Sequence, residues 1–197
     1  MVYICFGSLC RLGKEQYLEI ARGVEASGHN FLLVLPKSVD DGLLHGFEVR
    51  MRENERGMIV RGWVPQGLIL KHVAIGAFLT HCGANSVLEG ISEGVPMITM
   101  PWFGDQFLGE KLVTEVHGVG EAVGVSEWSM SDYDEKREVV GWERIESAVR
   151  KVMKDEGGLF RKRVKELKEK AHKAVEEGGS SYECVTALLQ SIKKMNV

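Results

Sequence analysis

Between Trp63 and Gln106 the chain carries most of its side chains that could do chemistry. The run Thr80-His81-Cys82-Gly83-Ala84-Asn85-Ser86 joins an apolar, strand-like piece, Ala74 to Leu79, to a helix-like piece, Val87 to Glu93. A helix start presents unsatisfied N–H groups and about half a positive charge, so strand, small-residue turn and helix start together suit a phosphate. Gly83 lets the backbone approach that anion closely. His81 lies between the strand end and the turn, where a positive or hydrogen-bonding imidazole can stabilise charge on a departing phosphate; a core histidine is the default reading elsewhere. Pro65 biases Val64 to an extended conformation and holds Trp63 in a fixed turn, where the indole offers a flat face to a base. An arbitrary Trp of such a fold more often fills the core. Ser86 and Glu89 have the S-x-x-E spacing of a capping box, and Asp105, after Pro101 and Gly104, reads as an N-cap.

The elements that must position these residues alternate. Val2 to Phe6, Phe31 to Leu35, Met58 to Val60, Ala74 to Leu79, Met97 to Met100 and Glu121 to Val125 read as strands, the last at an edge. A buried strand that begins almost at the first residue is an abrupt start for a complete protein. Helices are expected over Lys14 to Ser27, ending at Gly28, over Gln66 to Lys71, Asn85 to Glu93 and Asp105 to about Val116, with a loop and a short helix between Lys37 and Gly57. Ser126 to Val140 reads as a flexible surface loop, and Trp142 to Met153, Leu159 to Glu177 and Ser181 to Lys194 as three closing helices. Strands alternating with helices imply a Rossmann-like α/β fold with a parallel sheet, whose ligands sit beyond the strand C-termini. Ser8, His81 and Asp105 all lie there.

At 197 residues the chain suits one domain, over 1–197. A net charge of −3, from 25 basic and 28 acidic residues, gives no long-range attraction for nucleic acid or an anionic membrane. The four cysteines show no C-x-x-C pair and no disulfide-framework spacing, which fits a reducing cytosol. No apolar run approaches a bilayer span and no leader precedes the first strand, so the expected location is cytoplasmic. Gly118 to Gly124 resembles a dinucleotide fingerprint, but its third glycine is one residue late and a strand follows, so it reads as a turn. Arg161-Lys162-Arg163 reads as a solvated face, and His81-Cys82 has no second pair with which to hold a metal.

From its W-x-P-Q opening at Trp63 through H-C-G-x-N-S at His81 to Ser86 and its D-Q close at Asp105-Gln106, the central stretch resembles the signature box of plant family 1 UDP-glycosyltransferases, without a gap. V-Y-I-C-F-G-S at the start, E-A-S-G-H-N-F and the late G-G-S-S look like the same family. The resemblance implies the C-terminal half of a GT-B enzyme that moves a sugar, with inversion and without a metal, from UDP-glucose or a similar donor to a hydroxyl of a small plant metabolite such as a flavonoid or terpenoid. It implies that Trp63 stacks on uracil, that the Val64 backbone reads its edge, and that Gln66 lies near the ribose. Asn85 and Ser86 go to the phosphates, where the backbone of Gly83 and Ala84 forms the turn, and Ser8, beyond the first strand, is counted with the donor-binding residues. Glu89 takes the ribose hydroxyls, with the cap as its state in the empty protein, while Asp105 and Gln106 take sugar hydroxyls. Gln106 is the choice for a glucosyl donor.

One position departs from the pattern. The family has Trp between Gly and Asn of its H-C-G-W-N-S motif, and this chain has Ala84, which removes a wall beside the hexose unless Trp102 or Phe103 fills it. The family's catalytic His and its supporting Asp belong to an N-terminal domain absent here, and none of the six histidines matches that base. No catalytic residue is therefore assigned. A transferase half that needs its missing domain, a free-standing UDP-sugar-binding module and an inactive truncated product are the three readings. The last helix, with Tyr182, Val185, Leu188, Leu189 and Ile192 on one side, is expected to expose an apolar stripe.

Overall fold

The computed structural model describes residues 1–40, 42–127 and 138–195. Six strands, β1 (Val2–Cys5), β2 (Phe31–Leu35), β3 (Gly57–Arg61), β4 (Ala77–Thr80), β5 (Met97–Thr99) and β6 (Gly120–Ala122), form one parallel sheet in the order β3-β2-β1-β4-β5-β6. This is the expected Rossmann-like α/β arrangement. Because β1 is followed outward on one side by β2 and on the other by β4, the chain reverses direction across the sheet between β1 and β4. A crevice opens there beyond the strand ends.

Strand alternation splits the core in two. Val2 and Ile4 of β1 face a core that α1 (Lys14–Ser27), α2 (His45–Glu53) and α6 (Trp142–Lys154) cover with Tyr17, Ile20, Met51 and Val149. Tyr3 and Cys5 face the opposite core, closed by α3 (Gln66–Leu70), α4 (Ala84–Glu93), the π-helical turn Leu112–Val116 after α5 (Gln106–Lys111), and α7 (Leu159–Val175), through Leu70, Val87, Val113 and Val164. The last helix, α8 (Ser180–Met195), touches α7 and buries none of its residues. Its apolar side is exposed as expected, at Tyr182, Val185, Leu188, Leu189 and Ile192.

Several boundaries differ from the sequence reading for identifiable reasons. The fourth strand starts at Ala77 rather than Ala74, because the Ala74 carbonyl accepts from the Met1 ammonium and the Gly76 N–H donates to the Met1 carbonyl. The helix expected over Asp105 to Val116 widens after Lys111, where the His117 N–H bonds back to Leu112. The sixth strand is three residues long and starts at Gly120, so the glycine-rich run is strand and turn. Most of the expected loop, 128–137, lies outside the described residues. Arg161 and Arg163 are more than a solvated face. Arg161 binds the buried Asp155 carboxylate at 3.0 Å, and Arg163 reaches the Gly118 carbonyl at 3.4 Å. No helix among the described residues is long and apolar enough to cross a membrane.

Candidate functional site

The register sets the site. Cys5 pairs with Thr80, so the residues that follow each strand, Phe6-Gly7-Ser8 and His81-Cys82-Gly83, emerge side by side at the sheet's C-terminal edge. The imidazole of His81 lies between two glycine backbones. A Cβ on Gly7 would come within 2.8 Å of its Nε2 and one on Gly83 within 2.6 Å, contacts that side chains do not tolerate. Gly7 also has φ +71, and Cys82, between His81 and Gly83, is one of few non-glycine residues held at positive φ, at 65°. Strain of this kind collects where a turn is shaped for a ligand.

The turn leads into α4, with Gly83 as N-cap and no side chain capping the helix. The first intrahelical bond runs from the Val87 N–H to the Gly83 carbonyl at 3.0 Å, which leaves Ala84, Asn85 and Ser86 as the residues whose N–H groups precede the ladder. Ala84 and Asn85 are exposed. The capping box is not formed, since Ser86 stands three residues inside the helix and its hydroxyl is turned to Gln66. The resting state expected for Glu89 is thereby replaced by another. Gln66 Nε2 donates to Glu89 Oε2 at 2.5 Å and to Ser86 Oγ at 3.2 Å, while Gln66 Oε1 accepts from the Tyr3 hydroxyl at 3.2 Å.

Burial lowers the His81 pKa to about 4, with the Asp105 carboxylate opposing part of that effect. The ring is therefore neutral near pH 7, a hydrogen-bonding group rather than a positive charge. Its Nδ1 is buried and has no partner among the described residues. Asp105 sits at the N-cap position of α5 and is exposed, but its side chain caps nothing. Gln106 is buried, and its Oε1 accepts from the N–H groups of Trp102, at 2.8 Å, and Phe103, at 3.1 Å. Its amide oxygen is thereby committed to the backbone that precedes α5.

A cleft of about 490 Å³ opens at the crevice between β1 and β4 and runs toward β2 and β3. Of the residues singled out in the sequence, Ser8, Trp63, Val64, Gln66, Asn85 and Glu89 line it. His81 and Gly83 abut its Gly7 edge, and Ser86 meets it through Gln66. Ala84, Asp105 and Gln106 are not in its lining. Trp63 is 85% exposed, so its indole is free to cover a flat ligand rather than filling the core. Trp102 belongs to the core on the sheet face opposite α4, and Phe103 packs against the same core. The lining adds Cys5, Phe6, Gly7, Tyr17, Val34, Pro36 and Gly62, which sequence reasoning missed. Gly62, at φ +99 just before Trp63, is a further local signal, beside Pro65, that the chain turns there.

The model of the UDP-glucoronosyl and UDP-glucosyl transferase family matches residues 1–173. The chain belongs to this family. It is 50% identical over 202 residues to a UDP-glucose flavonoid 3-O-glucosyltransferase of Fragaria ananassa, covering 99% of this chain and 41% of that protein. It is also 50% identical over 195 residues to a scopoletin glucosyltransferase of Nicotiana tabacum, covering 98% of this chain and 40% of that one. Among solved structures, UGT73P12 of Glycyrrhiza uralensis, complexed with glycyrrhetinic acid 3-O-monoglucuronide, superposes with a TM-score of 0.93 at 40% identity, over 99% of this chain and 41% of that one. UGT71G1 of Medicago truncatula, complexed with UDP-glucose, does so with a TM-score of 0.84 at 38% identity, over 97% and 40%. This family member thus spans about two fifths of the length of the relatives it matches.

Proposed function

We propose that the chain is the donor-binding half of a GT-B UDP-glycosyltransferase, whose donor substrate is a UDP-sugar such as UDP-glucose. The observation that carries the reading is the cleft at the β1/β4 crossover, where exposed Trp63, the Gln66–Glu89 pair and the uncapped start of α4 follow one another. Uracil stacks on Trp63 with the Val64 backbone at its edge, and the ribose hydroxyls engage Gln66 and Glu89. The diphosphate lies on the N–H groups of Ala84, Asn85 and Ser86, with Ser8 and neutral His81 beside it. The hexose extends toward Asp105 and Gln106. An acceptor hydroxyl, deprotonated by a base outside this chain, attacks the anomeric carbon as the bond to the diphosphate oxygen breaks. The positive end of α4 stabilises the departing UDP. The acceptor is a small hydroxylated metabolite, held mainly by an N-terminal domain, and the four free cysteines suit a reducing cytosol.

Titration with UDP tests the reading. The intrinsic fluorescence of the native chain changes on binding, because Trp63 is the exposed indole of the cleft. Trp63→Ala and His81→Ala each weaken the affinity at least about tenfold, equivalent to one stacking or charge-assisted contact. Unchanged affinity in both variants would place the site elsewhere.

A further inference from the structure

Tyr3 is fully buried in β1, in register with Leu32 of β2 on one side and Phe78 of β4 on the other, and its ring stacks on Phe78 at 5.0 Å. A side chain so placed cannot follow a ligand. Its hydroxyl nevertheless reaches the wall of the cleft, where it donates to Gln66 Oε1 at 3.2 Å. Burial and the neighbouring Cys5 push the phenol well above its ordinary pKa, so the hydroxyl keeps the proton it donates. The other end of the same carboxamide donates to Glu89 and Ser86. The amide is thus held at both ends, with its oxygen toward the sheet and its nitrogen toward the cleft.

From this arrangement we infer that Tyr3 is a positioning residue for the ribose, acting through Gln66, a role that rests on the nucleotide reading above. The two ties on Gln66 are not equally durable. A carboxylate offers about four acceptor sites, and hydroxyls that arrive at Glu89 compete with Gln66 for them. When they bind, the tie to Glu89 weakens and the tie to Tyr3 is the one that remains. It keeps the carboxamide from rotating and turning its oxygen on the Glu89 carboxylate, so that Gln66 still offers a donor where Glu89 offers an acceptor. The hydroxyl of a merely satisfied core tyrosine would need a partner too. Its removal would then cost fold stability without regard to what the ligand carries.

The test uses the full chain and two nucleotides, UDP and 2′,3′-dideoxy-UDP, which lacks both ribose hydroxyls. In Tyr3→Phe the dissociation constant for UDP rises about two- to tenfold, the factor that goes with one lost hydrogen bond, while that for the dideoxy analogue is unchanged. Combining Tyr3→Phe with Gln66→Ala adds nothing to the effect of Gln66→Ala alone on UDP. Equal weakening for both nucleotides, or no effect on UDP, overturns the positioning role while leaving the nucleotide reading intact. Failure of the native chain to bind either nucleotide overturns that reading, and this role with it. A measurement that needs no variant stands beside these. The Gln66 side-chain amide protons of the native chain stay dispersed and slow to exchange in the UDP complex, and their collapse to free-amide positions on binding would overturn the inference.

Discussion

A tryptophan at position 84, which the family pattern carries, would present roughly 150–250 Å² of surface beside the position proposed for the sugar. Ala84 is exposed at the first residue of α4, and Trp102 and Phe103 pack in the core that α1, α2 and α6 cover. Ala84→Trp is expected to leave UDP affinity and thermal stability nearly unchanged and to reorder UDP-glucose, UDP-galactose, UDP-xylose and UDP-glucuronate in competition titrations. Equal shifts for UDP and all four donors would defeat the selectivity argument. At His81 the prediction concerns pH. The unfolded imidazole takes up its proton near 6.5 and the folded one only near about 4, so the unfolded state binds more protons between those values. The stability contribution is fully present above pH 6.5 and falls as pH drops toward 4, by on the order of 3 kcal/mol. Burial pushes the Glu110 carboxyl up and gives a slope of opposite sign, so the informative quantity is a difference. Urea unfolding of His81→Asn at pH 7, 5.5 and 4.5 should show a shallower loss than the native chain. Parallel losses would mean that His81 is not the group that resists protonation.

Among the elements, α1 does more than cover the sheet. Its buried Gln16 holds the Val140 backbone at two points, donating to the carbonyl at 3.1 Å and accepting from the N–H at 2.8 Å, and Glu19 accepts from the Trp142 N–H at 2.7 Å. Two side chains of one helix thus fix where α6 begins. Gln16→Leu should cost about 1–3 kcal/mol in urea unfolding, because it strands both backbone groups of Val140. A change below the experimental error would mean that water replaces the clamp. The helix itself was fully legible, from Lys14 to Ser27, because its apolar spacing and the left-handed Gly28 are local signals. The start of α4 was not. Ser86 and Glu89 spell a capping box, yet the chain folds with Gly83 as N-cap, since both side chains find a partner in Gln66, twenty residues or more away. The contribution of Tyr3 and Gly7 was hidden for the same reason. They reach the cleft only because β1 pairs with β4, and no spacing along the chain announces that pairing. Trp63, Val64, Gln66, Asn85 and Glu89 could be picked out together because they fall in one motif-bearing stretch.

At the scale of the whole molecule, the chain matches about two fifths of its relatives' length, and α8 presents an uncovered apolar side. The purified chain is expected to transfer no sugar to phenolic or terpenoid acceptors, because no base is assigned within it, and activity should return when an N-terminal domain is supplied. Turnover by the chain alone, with an inactive His81 variant as control for contaminants, would overturn this. The strand order has a further consequence for how the two ends of the nucleotide are received. β1 and β4 each have hydrogen-bonded neighbours on both sides, whereas β3, which leads to Trp63, is an edge. Amide hydrogen exchange should therefore be slowest under the phosphate end of the cleft and fastest along the approach to the indole. Addition of UDP should leave the deuterium uptake of 2–5 and 77–80 unchanged and slow that of the segment around Trp63. On the proposed reading, the diphosphate is expected to land on a floor that is already set and the base to be gripped by a wall that stiffens only once it arrives.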